Sequence, residues 1–273
     1  MADIDYSRLF EGRFTATLSH VDRSLPERIY RRLSPSAFTE LRLNELVDQY
    51  CTTDNSGSDR PRILDLGCGG GNEFLARFGR VTGVDVSRES VDNAKKIYDD
   101  ALFMDVTKSI DFPDNHFDII YSSEVIGHIH ADDKDAIYRE CKRVLKDGGI
   151  FIGSIETFGE NWITRKLKKY GLYEDVWINS WGHIGLEKYE KTIDRLRSYF
   201  SLKIHEPAST FVPSGDVVHE LRDLGGIFRL FKKVAVRRVY NLLVSPLYRF
   251  SIHERFADQA NNLVFVCVNR KNS

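Results

Sequence analysis

The sequence predicts an α/β fold, a mostly parallel sheet with helices on both faces and an inserted lid. Three observations carry this. A short apolar run, Ile63 to Leu66, enters a glycine cluster at Gly67, Gly69, Gly70 and Gly71, the pattern of a buried strand whose closing turn brings bare backbone close to a ligand. Residues 62 to 155 alternate strand-like and helix-like segments, as a parallel sheet requires. Several of the apolar runs close on a carboxylate.

Taken in order, residues 1–60 form an N-terminal segment, polar and aromatic at first and then helical over Ala37 to Tyr50, where Phe38, Leu41, Leu46 and Val47 recur at helical spacing. A polar loop, Cys51 to Pro61, precedes the first strand. The core spans 61–206. After the glycine cluster a short helix, Asn72 to Phe78, presents free N–H groups. Val81 to Asp85 is the second strand, and Ser87 caps a helix over Arg88 to Tyr98. Ala101 to Asp105 and Phe117 to Tyr121 are the third and fourth strands. An amphipathic helix, Asp132 to Leu145, stops at Lys146-Asp-Gly-Gly149, and Ile150 to Ile155 is the fifth strand. A lid insertion occupies 156–183. A helix, Leu186 to Phe200, and a strand, Leu202 to His205, resume the alternation. A second insertion, basic and amphipathic, fills 207–260, and 261–273 holds the last strand of the sheet, Asn262 to Asn269.

The glycine corner discriminates between ligands. Dinucleotides favour Gly-x-Gly-x-x-Gly, and here Asn72 stands where the third glycine belongs. Asp65, two residues before Gly67, would repel a pyrophosphate and attract a cationic amino acid moiety. Asp85 follows Asp65 by 20 residues, the position of a ribose-binding carboxylate. Asp65, Asp85 and Asp105 together suit a ligand that has an amine, a ribose and an adenine amino group.

Asp65-Leu-Gly-Cys-Gly-Gly-Gly71, Gly83-Val-Asp85, Asp105, Phe112-Pro-Asp-Asn-His-Phe-Asp118 and Arg143-Val-Leu-Lys-Asp-Gly-Gly149 resemble, in order and spacing, the motifs of class I S-adenosylmethionine (SAM) dependent methyltransferases over about residues 60 to 155. The resemblance implies a Rossmann-like seven-stranded sheet with SAM as cofactor. It implies Asp65, Gly67 and Gly69 on the methionine part, Asp85 on the ribose hydroxyls, Asp105 on the adenine amine, and Ser123 among the cofactor contacts.

Methyl transfer needs the acceptor atom close and in line, and a hydroxyl acceptor must also lose a proton. The stretch Ser123-Glu124-Val-Ile-Gly127-His128-Ile-His130 follows the fourth strand, where the site of an open α/β sheet lies. Glu124 and His128 are four apart, so one helical turn would set them side by side as a base and its carboxylate. The quinone-precursor branch of the family carries Glu-x-x-Glu-His here and can hold a divalent metal. Gly127 replaces the second acid, so no metal is expected. His183, in Trp181-Gly-His183-Ile-Gly, is the other candidate base. Each histidine has a plainer reading, His128 in packing and His183 in the loop. Trp162, Trp177 and Trp181 read as lid packing that would also suit a ring-bearing acceptor.

Residues 226 to 250 carry Arg229, Lys232, Lys233, Arg237, Arg238 and Arg249 and no acid. The first reading is a lid helix with its apolar face on the core. The second is peripheral membrane contact through 227–250. The formal net charge of −1 gives no nucleic-acid signature. Cys51, Cys68, Cys141 and Cys267 show no paired spacing and read as reduced thiols of a cytoplasmic protein. The N-terminus shows no apolar leader, and no run approaches a membrane span. The expected activity is O-methylation of a small phenolic or quinone-like, lipid-linked or sugar acceptor. Transfer to nitrogen or carbon, a NAD-dependent oxidoreductase and a non-catalytic SAM-binding protein are the alternatives.

Overall fold

The computed structural model describes residues 4–10, 36–51, 60–208, 213–250 and 253–271. Much of the expected N-terminal segment and the loop over 52–59 lie outside the described residues. Seven strands form one sheet: β1 Arg62–Leu66, β2 Arg80–Asp85, β3 Asp100–Phe103, β4 Phe117–Ser123, β5 Leu145–Glu156, β6 Ser201–Ala208 and β7 Asn262–Val268. Their order is β3-β2-β1-β4-β5-β7-β6. β1 to β5 are parallel, and β7 runs antiparallel between β5 and β6. The chain reverses its direction of growth across the sheet between β1 and β4, which opens a crevice at their carboxyl ends.

Among the described residues the α-helices are α1 Tyr6–Phe10, α2 Ser36–Cys51, α3 Arg88–Ala94, α4 Lys134–Val144, α5 Trp162–Lys169, α6 Tyr189–Tyr199, α7 Gly215–His219 and α8 Val234–Phe250. Both sheet faces are covered. One packs Leu64, Leu66, Phe151 and Phe265 with Ile137 and Tyr138 of α4 and Leu196 of α6. The other packs Ile63, Val81 and Val266 with Leu43, Leu46 and Val47 of α2. A third cluster lies away from the sheet and joins the two insertions, with Ile163, Leu167, Val176 and Trp177 from the first and Val218 and Leu221 from the second.

Four local expectations need correction. The helix expected over Asn72 to Phe78 shrinks to one 3-10 turn, Leu75–Arg77. Asn72 Oδ1 accepts from the N–H groups of Phe74 and Leu75, so two donors expected to face a ligand are taken. The helix capped by Ser87 ends at Ala94, and Tyr98 turns inward from the following turn to bond Asp65. Asp105 lies two residues past the end of β3.

The fourth correction concerns the basic segment, which is not one helix. A 3-10 stretch, Gly226–Lys232, is separated from α8 by Lys233 in an extended conformation. Ile227, Leu230, Val234, Val239, Leu242, Leu243 and Leu247 are exposed, Leu243 by 72%. Arg237 instead turns inward and pairs with Asp216 at 3.3 Å. The side of α8 that bears Val239, Leu243 and Leu247 therefore looks out, while Phe228, Phe231 and Tyr240 pack on the third cluster.

Candidate active site

All nine residues singled out in the sequence, Asp65, Gly67, Gly69, Asp85, Asp105, Ser123, Glu124, His128 and His183, line one cleft of about 1100 Å³ at the carboxyl ends of β1, β2 and β4. The glycine turn forms its floor. Gly67 and Cys68 donate backbone bonds to the Val84 carbonyl (2.9 and 3.0 Å), which pins the turn to β2. Gly67 has φ +70°, and a Cβ there would meet Val125 Cγ2 at 2.4 Å, so only glycine lets the backbone pass.

The acids differ in environment. Asp65 is buried, and its Oδ2 accepts a 2.6 Å bond from the Tyr98 hydroxyl, which in turn accepts from Asn72 N–H. Burial pushes the Asp65 carboxyl up to about 7, the charge of Asp85 adds to this, and the Tyr98 bond only partly offsets it. Asp85 accepts from Gly69 N–H at 2.9 Å and Ser87 N–H at 2.8 Å. Asp85 also lines the cleft, where ribose hydroxyls could meet its carboxylate. Asp105 Oδ1 accepts from both the N–H and the hydroxyl of Thr107.

Beyond β4 the chain turns sharply. Glu124 has φ +55°, a left-handed conformation costly for a residue with a side chain. Its N–H is held by the Ser154 carbonyl and hydroxyl on β5. Only Ile126–His128 forms a helical turn, so Glu124 and His128 do not share a helix face as expected. Glu124 accepts from Asn262 at 3.2 Å. The carboxylate beside His128 is Glu156, at the end of β5, with His128 Nε2 3.3 Å from Glu156 Oε1. His183 Nε2 approaches the same oxygen at 3.7 Å. The two imidazole rings lie 4.6 Å apart.

Gly127 explains how Glu156 gets there. A Cβ at position 127 would lie 2.5 Å from Glu156 Oε2 and 2.7 Å from its Cβ. The Gly127 N–H donates to that same Oε2 at 3.2 Å. The glycine that stands in place of an acid thus makes room for an acid from the neighbouring strand.

His128 Nδ1 contacts the Gly182 carbonyl at 3.1 Å, so Nδ1 carries a proton and Nε2 faces Glu156. Burial opposes charge on His128, but Glu156 outweighs it and the pKa is raised. Burial opposes ionisation of Glu156 as well, and His128 more than offsets that, holding it low. His183, 7% exposed, is pushed down to about 4, chiefly by burial. Trp177 and Trp181 pack around it at 5.5 and 5.9 Å, so two of the three tryptophans border the site. Phe10 of α1 lies edge-on to His128 at 5.4 Å, and Tyr6 bonds Asp133 at 2.6 Å. Sequence reasoning missed Glu156, Tyr98, Tyr6 and Phe10. None sits in a recognisable motif; Glu156, Tyr6 and Phe10 reach the cleft through tertiary packing, and Tyr98 acts from behind it through Asp65.

Residues 64–153 match the methyltransferase domain family. A ubiquinone biosynthesis O-methyltransferase of Actinobacillus pleuropneumoniae is 33% identical over 143 residues, 48% of this chain and 57% of that protein. One from Proteus mirabilis is 30% identical over 44% of this chain and 53% of that protein. The chain thus spans little more than half the length of these two relatives. One from Brucella melitensis is 28% identical over 68% of this chain and 81% of that protein. Among solved structures, phosphoethanolamine N-methyltransferase 2 of Haemonchus contortus, in complex with S-adenosylhomocysteine, gives a TM-score of 0.52 at 19% identity, covering 84% of this chain and 53% of that one. The [4+2]-cyclase SpnF gives 0.52 at 23% identity, covering 84% and 80%. At such identity these structures share the fold, and SpnF shows that the fold alone does not dictate methyl transfer. Sheet order, glycine turn, strand-end acids and family match converge, and residues 64–153 are similar to a methyltransferase domain.

Proposed function

We propose that the protein transfers the methyl group of SAM to a hydroxyl of a small, quinone-like aromatic acceptor carried on a lipid. The observation that carries this reading is the pair of imidazoles, half-buried His128 and buried His183, on the wall of the cleft whose floor is the glycine turn. Asp65, Gly67 and Gly69 would hold the methionine end of SAM, Asp85 the ribose and Asp105 with Ser123 the rest. SAM supplies the electrophilic methyl group. The chain's own task is to align the acceptor oxygen and receive its proton. His183 and His128 stand where that proton would leave, with Glu156 fixing the orientation of His128. Glu124 borders the same wall. Trp177 and Trp181 offer flat apolar surfaces to a ring. The names of the relatives support oxygen and a quinone precursor.

Tritiated SAM, incubated with purified protein and prenylated catechol acceptors, tests the reading. The expected result is label in a lipid-extractable product, on oxygen by mass analysis. Label on nitrogen or carbon, or SAM binding without transfer to any acceptor pool, would overturn it.

Peripheral contact with an anionic bilayer through 227–250 belongs to the same reading. Exposed Arg229, Lys232, Lys233 and Arg238 accompany the outward apolar face of α8, and α8 packs on α7, whose Asp216 and Val217 line the cleft. Among the described residues no helix is long and apolar enough to cross a membrane. Each leucine-sized side chain placed in the interface contributes about 1.5–3 kcal/mol, and each basic residue near an anionic surface about 1 kcal/mol. The protein should float with phosphatidylglycerol vesicles far better than with phosphatidylcholine vesicles. The double variant Val239→Glu, Leu243→Glu should lose at least ~100-fold in vesicle affinity while its SAM binding is unchanged. A solution dimer abolished by the same variant, with no flotation, would assign the face to a second copy instead.

A further inference from the structure

His128, Glu156 and His183 reach one point from three directions: the turn after β4, the end of β5 and the loop that closes the first insertion. Their donor atoms all lie within 4.8 Å of one another. Two of the edges, 3.3 and 3.7 Å, share Glu156 Oε1. Ligand bonds of about 2.0–2.2 Å in a tetrahedron put neighbouring donors roughly 3.3 Å apart, so those edges already stand near the required spacing. We propose that the three side chains form a binding site for a divalent transition-metal ion of the zinc or cobalt kind.

The surroundings support this independently of the distances. The far nitrogen of His128 is tied to the Gly182 carbonyl, the usual support that orients a metal-bound imidazole. The far oxygen of Glu156 is held by Gly127 N–H. His183 Nδ1 is buried without a hydrogen-bond partner among the described residues, which weakens the support on that side without turning Nε2 away. Two imidazoles and one carboxylate suit borderline ions, whereas magnesium and calcium prefer oxygen donors. Three protein donors leave a coordination position open toward the cleft. This set differs from the Glu-x-x-Glu-His pattern of the quinone branch. Only His128 is shared, and Glu124 is engaged with Asn262 instead.

With an ion bound the two imidazoles would be ligands rather than proton acceptors, and the ion's charge would instead favour the ionised acceptor oxygen. The inference rests on the placement of the cluster and not on methyl transfer, so it is tested without SAM or acceptor. Chelator-treated protein is titrated with Co²⁺ and followed by visible absorption, then competed with Zn²⁺ in a calorimeter. The expected result is one equivalent of Co²⁺ with d–d bands, no thiolate charge-transfer band, and displacement by Zn²⁺. Glu156→Gln and His183→Ala should each weaken Zn²⁺ binding by more than ~100-fold, because loss even of a ligand's supporting partner costs 10–100-fold. S-adenosylhomocysteine binding confirms that the variants are folded. A featureless cobalt titration, a thiolate band from the buried cysteines, or undiminished affinity in both variants would overturn the proposal. Metal binding with no methylation would instead remove the proposed function and leave this site intact.

Discussion

Replacement of Asp65 by Asn should weaken S-adenosylhomocysteine binding by about 100-fold or more while the fold persists. Truncating one partner of a buried, hydrogen-bonded charge pair costs about 2–5 kcal/mol, and Asp65 is a buried carboxylate anchored by Tyr98. The same group gives a pH signature. In the free protein burial pushes the Asp65 carboxyl up to about 7. In the proposed site the ammonium of the ligand needs it ionised, so binding would lower its pKa. Affinity should therefore be level just above pH 7 and fall as pH drops, by up to about tenfold per unit, until the lowered value of the complex is reached. Calorimetry from pH 5.5 to 7.5 checks both statements, with Asp65→Asn giving a flat profile across that range. A wild-type affinity that ignores pH would remove Asp65 from the ammonium site.

The glycine-turn half of the cleft was legible because its determinants are local. Ile63, Leu64 and Leu66 are buried apolar residues, Gly67 is forced by its own φ, and Asp65, opposite Gly83, lies two register positions from Asp85 at the end of β2. The acceptor half was not legible because its determinants meet through the sheet. Glu156 lies 28 residues after His128, in a segment, Ser154-Ile-Glu156-Thr157, with no motif. Its role depends on β4 pairing β5 with Ser123 opposite Ser154. The spacing of Glu124 and His128 suggested a shared helix face, but the left-handed backbone at Glu124 directs the two apart. In the second insertion, periodicity announced an amphipathic helix. Which face would turn inward depended on Asp216, which recruits Arg237 and leaves Val239 and Leu243 outside.

Loss of the Glu187 carboxylate should be among the most destabilising single changes. Glu187 is 5% exposed and Lys134 1%. Glu187 Oε1 holds Arg195 at 2.8 Å and Lys191 at 2.9 Å, and Oε2 holds Lys134 at 3.3 Å. Glu187→Gln would strand the Lys134 ammonium in the interior beside the Gly185 carbonyl. Breaking such a pair costs about 3–5 kcal/mol, roughly 10 °C in melting temperature for a chain of this size. Burial dominates at Lys134, whose pKa falls. At Glu187 burial acts the other way, but Arg195, Lys191 and Lys134 together outweigh it and lower the pKa. A carboxyl lowered on folding gives stability that is fully present above its unfolded value of about 4.3 and is lost as pH falls through its folded value. The gap between wild type and Glu187→Gln in urea unfolding should thus be widest near pH 7 and narrow below pH ~4. A gap unchanged in acid would mean that Glu187 acts through packing alone. Lys134 also bonds Gly185 two residues from His183, so the loop carrying that imidazole should loosen in the same variant, and Zn²⁺ affinity should fall although none of the three proposed ligands has been touched.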